Sequence, residues 1–334
     1  MERCHVMLLP YPGSALEETE LPLPSPGDGQ VRIRVEACGV CRTDLHVVDG
    51  ELPQANYPIV PGHEVVGIVE ALGPGVLSPA LGERVGVPWL GHTCGACVYC
   101  QEGRENLCEA AEFTGCTRDG GYATHLIASA GWCIPLPEAM GEAATIAPLL
   151  CAGLIGWRAL RAAGHCRSIG LYGFGAAAHI LTQIAVSQGI VVNAFTRHDD
   201  LKAQQFARQL GAMWVGDCDQ SPPQPLDAAI IFAPSGDLVP RALSSVRRGG
   251  RVVCAGIHMS DIPVFPYHLL WHERQLLSIA NLTREDASSF FPAAAKANIR
   301  AHVTTYRLLD ANQALAALRE GRLQGAAVLL PDLI

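Results

Sequence analysis

The chain has 334 residues, of which 49% are hydrophobic and 17% are charged. This length exceeds what one ordinary core accommodates, so we expect two domains with a large buried interior. The net charge of −8 argues against nucleic acid or an anionic membrane as a partner, because both favour a basic surface. The start MERCHVMLLPYPG lacks the pattern of a signal peptide, and no apolar stretch is long enough to span a bilayer. A cytosolic location is therefore expected.

Short β-branched runs separated by turn residues characterise the first part of the chain. Val31–Val35 follows PSPGDGQ, and Val65–Val69 precedes LGPG. Such runs predict irregular, mostly antiparallel β structure with loops. The last part of the chain, after Asn281, returns to mixed elements and ends with the apolar run Ala326–Leu330. We expect this tail to return to the first domain.

Beyond Glu142, strand-like apolar runs alternate with helical stretches. Continuous apolar strands that alternate with helices predict a parallel sheet covered on both faces, in a doubly wound dinucleotide-binding fold. The predicted domains are therefore 1–152, 153–281 and the returning segment 282–334. The predicted strands are Ser168–Tyr172, Val191–Phe195, Met213–Val215, Ala228–Phe232, Arg251–Cys254 and Leu276–Ile279, and the predicted helices are Ala176–Gln188 and Leu201–Leu210.

Four of the thirteen cysteines form a tight cluster: Cys94, Cys97, Cys100 and Cys108. Four thiolates at this spacing can surround one zinc ion tetrahedrally and leave no open position, which predicts a structural site. An iron–sulfur cluster is the main alternative, and the spacing alone does not exclude it. A nucleic-acid-binding ribbon is disfavoured, because the segment is acidic: Glu102, Glu105, Glu109 and Glu112 accompany Arg104.

A second group of metal-binding residue types is spread over three segments. GVCRTDLH contains Cys41, PGHE contains His63, and LLCAG contains Cys151. Two thiolates and one imidazole are the ligand set of catalytic zinc in dehydrogenases. Each residue alone is weak evidence, since a single cysteine or histidine is more often part of a core.

A glycine-rich turn follows the predicted strand Ser168–Tyr172. Gly173, Gly175 and Ala178 match the G-x-G-x-x-G/A pattern between a strand and a helix, where it binds the pyrophosphate of a dinucleotide. The next strand ends in Thr196 and Arg197 instead of the acidic residue that favours NAD. A hydroxyl followed by a cation favours NADP, although the nearby Asp199 and Asp200 leave NAD open.

These segments together resemble the zinc-containing alcohol dehydrogenases of the medium-chain dehydrogenase/reductase superfamily. The similarity extends over nearly the whole chain and includes GVCRTDLHVVDG, PGHEVVGIV, the four-cysteine segment, GYATH, PLLCAG, GFGAAAH and SIANLTRED. It implies an α/β protein with a GroES-like, β-rich catalytic domain and a Rossmann cofactor domain. It also implies hydride transfer between a primary or secondary alcohol, or the corresponding aldehyde, and NAD or NADP. A homodimer or homotetramer is expected from the resemblance alone.

The resemblance assigns a role to each matching residue. Cys41, His63 and Cys151 would hold the catalytic zinc, and the four-cysteine cluster the structural zinc. The other roles are Glu64 behind the metal, Asp44 orienting His63, Thr43 receiving the alcohol proton, His46 carrying it towards solvent, Arg42 reaching the cofactor pyrophosphate, and Trp89 narrowing the substrate pocket.

Three alternatives share part of this pattern. A zinc-free quinone reductase would not need either metal set, and a polyol dehydrogenase often has an acid in place of Cys151. A catalytically silent nucleotide-binding protein would not need Thr43 and His46. Alcohol oxidation therefore remains the favoured activity.

Overall fold

A computed structural model describes residues 3–137 and 140–331. The chain forms two compact units, each assembled from separate segments. The first unit comprises Met1–Cys151, Thr283–Phe291 and Ala301–Ile334. The second unit comprises Ala152–Leu282 and Pro292–Arg300.

The amino-terminal part of the first unit is rich in strands. Its strands are β1 (Arg3–Leu8), β2 (Glu17–Pro22), β3 (Gln30–Val40), β4 (Val65–Leu72), β5 (Arg84–Val87), β6 (Leu90–His92), β7 (Glu112–Phe113), β8 (His125–Ser129) and β9 (Ile134–Pro135). Its helices are α1 (Arg42–Val48), α2 (Val98–Gln101) and α3 (Ala143–Ile146), the last followed by a 3₁₀ helix at Ala147–Leu150.

Helices and strands alternate in the rest of the chain. The second unit contains α4 (Ala152–Ala163), β10 (Ser168–Tyr172), α5 (Ala176–Ser187), β11 (Val191–Thr196), α6 (Leu201–Gln209), β12 (Trp214–Asp217), β13 (Leu226–Ile231), α7 (Leu238–Ser245), β14 (Val246–Cys254) and β15 (Gln275–Ser278). The final elements are α8 (Arg284–Lys296), β16 (Val303–Arg307), α9 (Ala311–Arg319) and β17 (Ala326–Leu330).

The main sheet of the first unit has the order β16-β17-β3-β4-β5-β9, with β8 also paired to β3. Its neighbours are antiparallel except β16 and β17. In β3, Val31, Ile33 and Val35 are fully buried, whereas the residues between them are partly exposed. This alternation is the pattern of a strand with one face on the core. β3 ends directly before α1, which places the end of a buried strand at the first metal-binding segment.

The sheet of the second unit is parallel throughout, with the order β12-β11-β10-β13-β14-β15. Successive side chains of a strand point to opposite faces, so Leu171 packs in one core and Tyr172 in another. The first core includes Leu181 of α5, and the second includes Val239 of α7. Helices therefore cover both faces, as the apolar strands predict.

The predicted fold class is confirmed, but one part of the predicted tail is wrong. The sequence analysis assigned all of 282–334 to the first domain, whereas Pro292–Arg300 belongs to the second unit. The reason is a pair of long-range hydrogen bonds. The Gln183 side chain donates to the Arg300 carbonyl and accepts from the Arg300 backbone N–H, each at 3.1 Å.

Among the described residues, no single helix is both long and apolar enough to cross a bilayer. In the same part of the chain, one bent pair of helices, Ala143–Leu150 and Ala152–Ala163, meets the length and composition of a span when the two are taken together.

Candidate active site and metal centres

Three loops of the first unit bring Cys41, His63 and Cys151 together. Cys41 caps the start of α1, His63 lies just before β4, and Cys151 follows the 3₁₀ helix. Cys41 Sγ lies 3.1 Å from His63 Nε2 and 3.9 Å from Cys151 Sγ. Two thiolates on one tetrahedral zinc, with bonds of about 2.3 Å, would be separated by about 3.8 Å. The observed spacing therefore fits shared coordination of one zinc ion, and it is far too long for a disulfide.

Asp44 connects two of these ligands. Its Oδ2 accepts a hydrogen bond of 2.9 Å from the Cys41 backbone N–H, in a capping box at the start of α1. Its Oδ1 lies 3.1 Å from His63 Nδ1, and both side chains are buried. Because an ionised carboxylate can only accept, Nδ1 carries the proton and donates to Asp44. The lone pair of Nε2 is then directed towards Cys41, as a metal ligand requires.

Glu64 is the fourth residue of this cluster of possible metal ligands. Its carboxylate and the ligand atoms of Cys41, His63 and Cys151 all lie within 4.8 Å of one another. Burial raises the pKa of Glu64 well above its ordinary value. The hydrogen bond with Cys151, followed by burial, raises the pKa of Cys41. A bound divalent cation stabilises the charged forms of such groups, so the donor set fits a metal ion.

Gly39 is a functional residue that the sequence analysis did not identify. A Cβ atom at this position would lie 1.8 Å from Glu64 Oε2. Only glycine therefore lets β3 pass this close to the buried carboxylate. Gly39 belongs to the segment GVCRTDLH, which the sequence analysis identified, but its contact partner Glu64 lies in another segment.

Thr43 and His46 lie on one face of α1, since they are three positions apart. Both are buried, whereas Arg42 at the first position of the helix is exposed. His46 Nδ1 forms a hydrogen bond with Glu51, a partner that the sequence analysis also missed. Trp89 presents its ring edge-on to His63, with the ring centroids 5.0 Å apart. The structure thus brings Glu64 together with the three predicted ligands, and the Thr43 backbone N–H donates to Cys41 Sγ at 3.4 Å. The catalytic roles of Thr43, His46 and Glu64 stay predictions.

The four-cysteine cluster is compact as well. Cys94 Sγ lies 4.0 Å from Cys100 Sγ and 3.6 Å from Cys108 Sγ. The backbone N–H groups of Ala96 and Cys97 donate to Cys94 Sγ and lower the pKa of this thiol to about 6. A thiol that is readily ionised and surrounded by three more thiols fits a structural zinc ion. All thirteen cysteines of the chain are free.

The glycine-rich turn joins β10 to α5 in the second unit. Gly173 has a φ of +91°, and a Cβ atom there would meet the backbone N of Ala233 at 3.0 Å. Gly175 caps α5, and a Cβ atom there would contact nothing within 4 Å. Ala178, in the first turn of α5, is fully buried. The open space at the start of α5 fits a pyrophosphate, which the first N–H groups of a helix bind.

The end of β11 is where NAD and NADP are distinguished, and there the environment of Thr196 differs from the prediction that this residue binds the cofactor. Thr196 is only 1% exposed, and its hydroxyl donates to the Arg197 carbonyl and accepts from Gln204. The hydroxyl is thus occupied inside the protein, which argues against Thr196 as a direct phosphate ligand. Arg197 is exposed. Two carboxylates, of Asp199 and Asp217, lie within 3.1 Å of the His198 ring.

Comparison with known proteins decides the family. Residues 27–138 match the family described as "Alcohol dehydrogenase GroES-like domain". The chain is 45% identical to "Probable alcohol dehydrogenase AdhA" of Mycobacterium tuberculosis over 329 residues, which cover 96% of this chain and 94% of that protein. The chain belongs to the zinc-dependent alcohol dehydrogenases of the medium-chain dehydrogenase/reductase superfamily.

Two solved structures share the whole architecture. The acetophenone reductase of Geotrichum candidum, in complex with NAD, is 28% identical with a TM-score of 0.89, and the match covers 100% of this chain and 99% of that one. The cobalt- and zinc-bound alcohol dehydrogenase of Pyrobaculum aerophilum is 26% identical with a TM-score of 0.89, covering 99% and 100%. The predicted family, fold and alcohol dehydrogenase activity are therefore confirmed. This alcohol dehydrogenase acts on small-molecule alcohols, while the roles of individual residues stay predictions.

Proposed function

We propose that this alcohol dehydrogenase oxidises small primary or secondary alcohols, and reduces the corresponding carbonyl compounds, at a zinc centre formed by Cys41, His63 and Cys151. One observation carries the proposal: these three donors lie within reach of one ion, and Asp44 holds His63 in the tautomer that a ligand needs. A second zinc ion in the four-cysteine cluster serves as the structural metal. The metal-bound relative from Pyrobaculum aerophilum supports zinc as the ion.

Different residues of the chain transfer the alcohol proton, lie beside the metal ligands and shape the substrate pocket. A zinc ion held by Cys41, His63 and Cys151 would supply the chemistry of a Lewis acid, which makes an alcohol hydroxyl more acidic and a carbonyl more electrophilic. Thr43 accepts the alcohol proton, and His46 on the same face of α1 carries it towards solvent. Glu64 supplies a further carboxylate beside the three ligands. Trp89, which lies against the His63 ring, restricts the pocket to small or flat substrates.

The cofactor of the proposed reaction is a nicotinamide dinucleotide, which accepts or donates the hydride. The proposed place for the pyrophosphate is the start of α5, where a Cβ atom on Gly175 would contact nothing within 4 Å. NADP is the proposed form, because Arg197 is exposed at the end of β11 while Asp199 and Asp217 are paired with His198. Replacing Arg197 by Ala should lower kcat/KM for NADP more than for NAD, and an equal loss with both cofactors would contradict this preference.

Self-association is the proposed assembly state. Strand β15 lies at the edge of the six-stranded sheet, and the segment before it exposes Val264, Tyr267 and Trp271. An open sheet edge beside apolar side chains favours pairing with a second copy. Sedimentation of the wild type and of Trp271→Ser would test this, and a monomeric wild type would overturn it.

The cytosol is the proposed location of this alcohol dehydrogenase. Its thirteen free cysteines suit a reducing compartment, where thiols persist and bind metal. Fractionation of cells that express the tagged protein would test the proposal, and recovery outside the cytosol would contradict it.

Replacement of one zinc ligand tests the proposed centre. Cys151→Ser should abolish alcohol-dependent reduction of the cofactor and lower the zinc content from two ions to one per chain. Cys133→Ser is the matched control, because Cys133 only donates to the Ser129 carbonyl and lies outside both clusters. Full turnover in the Cys151 variant would remove Cys151 from the centre.

A further inference from the structure

The turn after α1 places Glu51 over the last turn of that helix. Gly50 has a φ of +73°, and its N–H donates to the Val47 carbonyl at 3.2 Å. The N–H of Glu51 donates to the His46 carbonyl at 2.9 Å. This pair of bonds, with glycine in the left-handed conformation, is the Schellman arrangement that ends a helix and returns the chain onto it. The position of Glu51 is therefore set by the backbone.

The glycine in this turn is constrained by packing as well as by conformation. A Cβ atom at Gly50 would lie 2.7 Å from Pro12 Cβ, so the turn fits closely against the amino-terminal segment. Gly13 in that segment also donates its N–H to the Val48 carbonyl at 2.6 Å. The turn is thus held from both sides, which fixes the backbone position of Glu51.

The side chains of Glu51 and His46 form a hydrogen-bonded pair. A Glu51 carboxylate oxygen accepts from His46 Nδ1. The His46 side chain is 11% exposed, whereas that of Glu51 is 49% exposed. The pair therefore connects a buried imidazole on the face of α1 that carries Thr43 to a carboxylate in contact with solvent.

A neighbouring carboxylate in the same turn has a different partner. Asp49 accepts two hydrogen bonds of 2.7 Å from the guanidinium of Arg319 in α9. The charge of Glu51 also acts on Arg319, so Asp49 and Arg319 are charged groups near the Glu51 carboxylate. Asp49 is thus bound to α9, while Glu51 pairs with His46.

We propose that Glu51 is a positioning residue for proton transfer, which holds His46 in the Nδ1–H tautomer and receives the proton that leaves His46. This inference rests on the proposed alcohol dehydrogenase function. In alcohol oxidation, a proton arriving by way of Thr43 binds His46 Nε2, the Nδ1 proton passes to the Glu51 carboxylate, and Glu51 releases it to water. These steps are proton transfers without oxidation or reduction. They leave His46 as the neutral Nε2–H tautomer, and exchange of its ring protons with water returns it to the Nδ1–H tautomer before the next turnover.

The test compares Glu51→Gln with two other variants of the zinc-replete enzyme. Glu51→Asp keeps the charge, and Asp49→Asn removes an equal charge two residues away, on a carboxylate that binds Arg319. Two quantities are measured: the populations of the His46 tautomers by ¹⁵N NMR, with the signals assigned from His46→Gln, and kcat for alcohol oxidation. Glu51 accepts from His46 Nδ1, and a neutral amide is a weaker acceptor than a carboxylate. Glu51→Gln should therefore lower the population of the Nδ1–H tautomer.

The rate of alcohol oxidation should fall as well. With Glu51→Gln, kcat should fall several-fold, because an amide cannot take the proton that leaves His46 Nδ1. Glu51→Asp should recover part of both effects, and Asp49→Asn should leave kcat unchanged.

Each contrary outcome has a separate meaning. An unchanged tautomer population of His46 in Glu51→Gln, or an equal change in Asp49→Asn, overturns the pairing. A changed tautomer population with an unchanged kcat overturns the role in proton transfer. If the wild type oxidises no alcohol, the proposed function fails, whereas the NMR measurement still decides the pairing of Glu51 with His46.

Discussion

Asp44 Oδ1 lies 3.1 Å from His63 Nδ1, and neither side chain is exposed to solvent. The other oxygen of the same carboxylate accepts the N–H of Cys41, the residue that starts α1. One buried carboxylate thus orients an imidazole ligand and fixes the backbone of a thiolate ligand. The two-thiolate, one-imidazole centre depends on this residue as much as on the ligands themselves.

Asp44→Asn should weaken zinc binding at the catalytic centre. An amide has one acceptor atom, so it cannot accept from both the Cys41 N–H and His63 Nδ1–H. We expect an affinity loss of about 10- to 100-fold, with the four-cysteine zinc retained. Titration with a chelator while bound zinc is measured would show this. Asp49→Asn, on the same helix, is the control, and equal zinc affinity in the two variants would count against the role of Asp44.

Glu105→Ala should destabilise the region of the four-cysteine segment. The Glu105 carboxylate, which is 8% exposed, accepts from the backbone N–H and from Nε of Arg284, both at 3.1 Å. Loss of these charge-assisted bonds should cost about 1.5–3 kcal/mol in the free energy of unfolding. The control is Glu102→Ala, because Glu102 and its partner Arg104 are both more than half exposed, and such a pair contributes about 0–1 kcal/mol. The free energy of unfolding of both variants is measured by denaturant unfolding. Equal losses in Glu105→Ala and Glu102→Ala would contradict the predicted difference.

Two glycine variants should separate folding from cofactor binding. Gly173→Ala forces a left-handed backbone on alanine and brings Cβ against Ala233, so the free energy of unfolding should fall by about 1–3 kcal/mol. Gly175→Ala meets no protein atom within 4 Å, so stability should be retained. Its methyl group instead occupies the space proposed for the pyrophosphate, and cofactor dissociation constants measured by fluorescence should rise. Unchanged cofactor affinity in Gly175→Ala would place the pyrophosphate elsewhere.

Asp227 should contribute a pH-dependent part of the stability of the second unit. Burial alone would raise its pKa, but hydrogen bonds from Arg247 and from the backbone N–H groups of Arg167 and Ser168 outweigh this and lower the pKa. A lowered pKa stabilises the fold above the pKa of an unfolded aspartate, about 3.9, and the stabilisation is lost as the pH falls through the folded-state pKa.

Asp227→Asn should therefore be about 1–2 kcal/mol less stable than the wild type at pH 7. The difference should shrink below about pH 4. Denaturant unfolding of both proteins at several pH values measures it. Arg247→Gln is the control, since it removes the bond from Arg247 and keeps the backbone ones. A difference that is constant with pH would show that ionisation of Asp227 is not the cause.

The sequence predicted those features of this alcohol dehydrogenase that depend on residues close together in the chain. Ser168–Tyr172 is an uninterrupted apolar strand followed by a glycine-rich turn, so both the parallel sheet and the turn could be recognised. The three ligand segments were identified from their local patterns. Their convergence came from the family resemblance, because Cys41 and Cys151 lie far apart in the chain.

The parts that were missed are contacts between remote segments. Gln183 and Arg300 join α5 to the residues after α8, and Arg319 binds Asp49 across 270 positions. The hydroxyl of Thr196 is buried because Gln204 of the following helix reaches back to it. Such pairings leave no periodicity or spacing in the sequence, since they depend on how the elements pack.

The most direct test of the proposed zinc chemistry is the rate of cofactor reduction by a small alcohol as the metal is removed and restored. Dialysis against a chelator should lower the zinc content from two ions to one or none per chain and abolish turnover, and added zinc should restore both. Because the proposal requires the ion at Cys41, His63 and Cys151, restored zinc should not restore turnover in Cys41→Ser. Full turnover in the zinc-free wild type, or in Cys41→Ser, would contradict the proposed zinc centre.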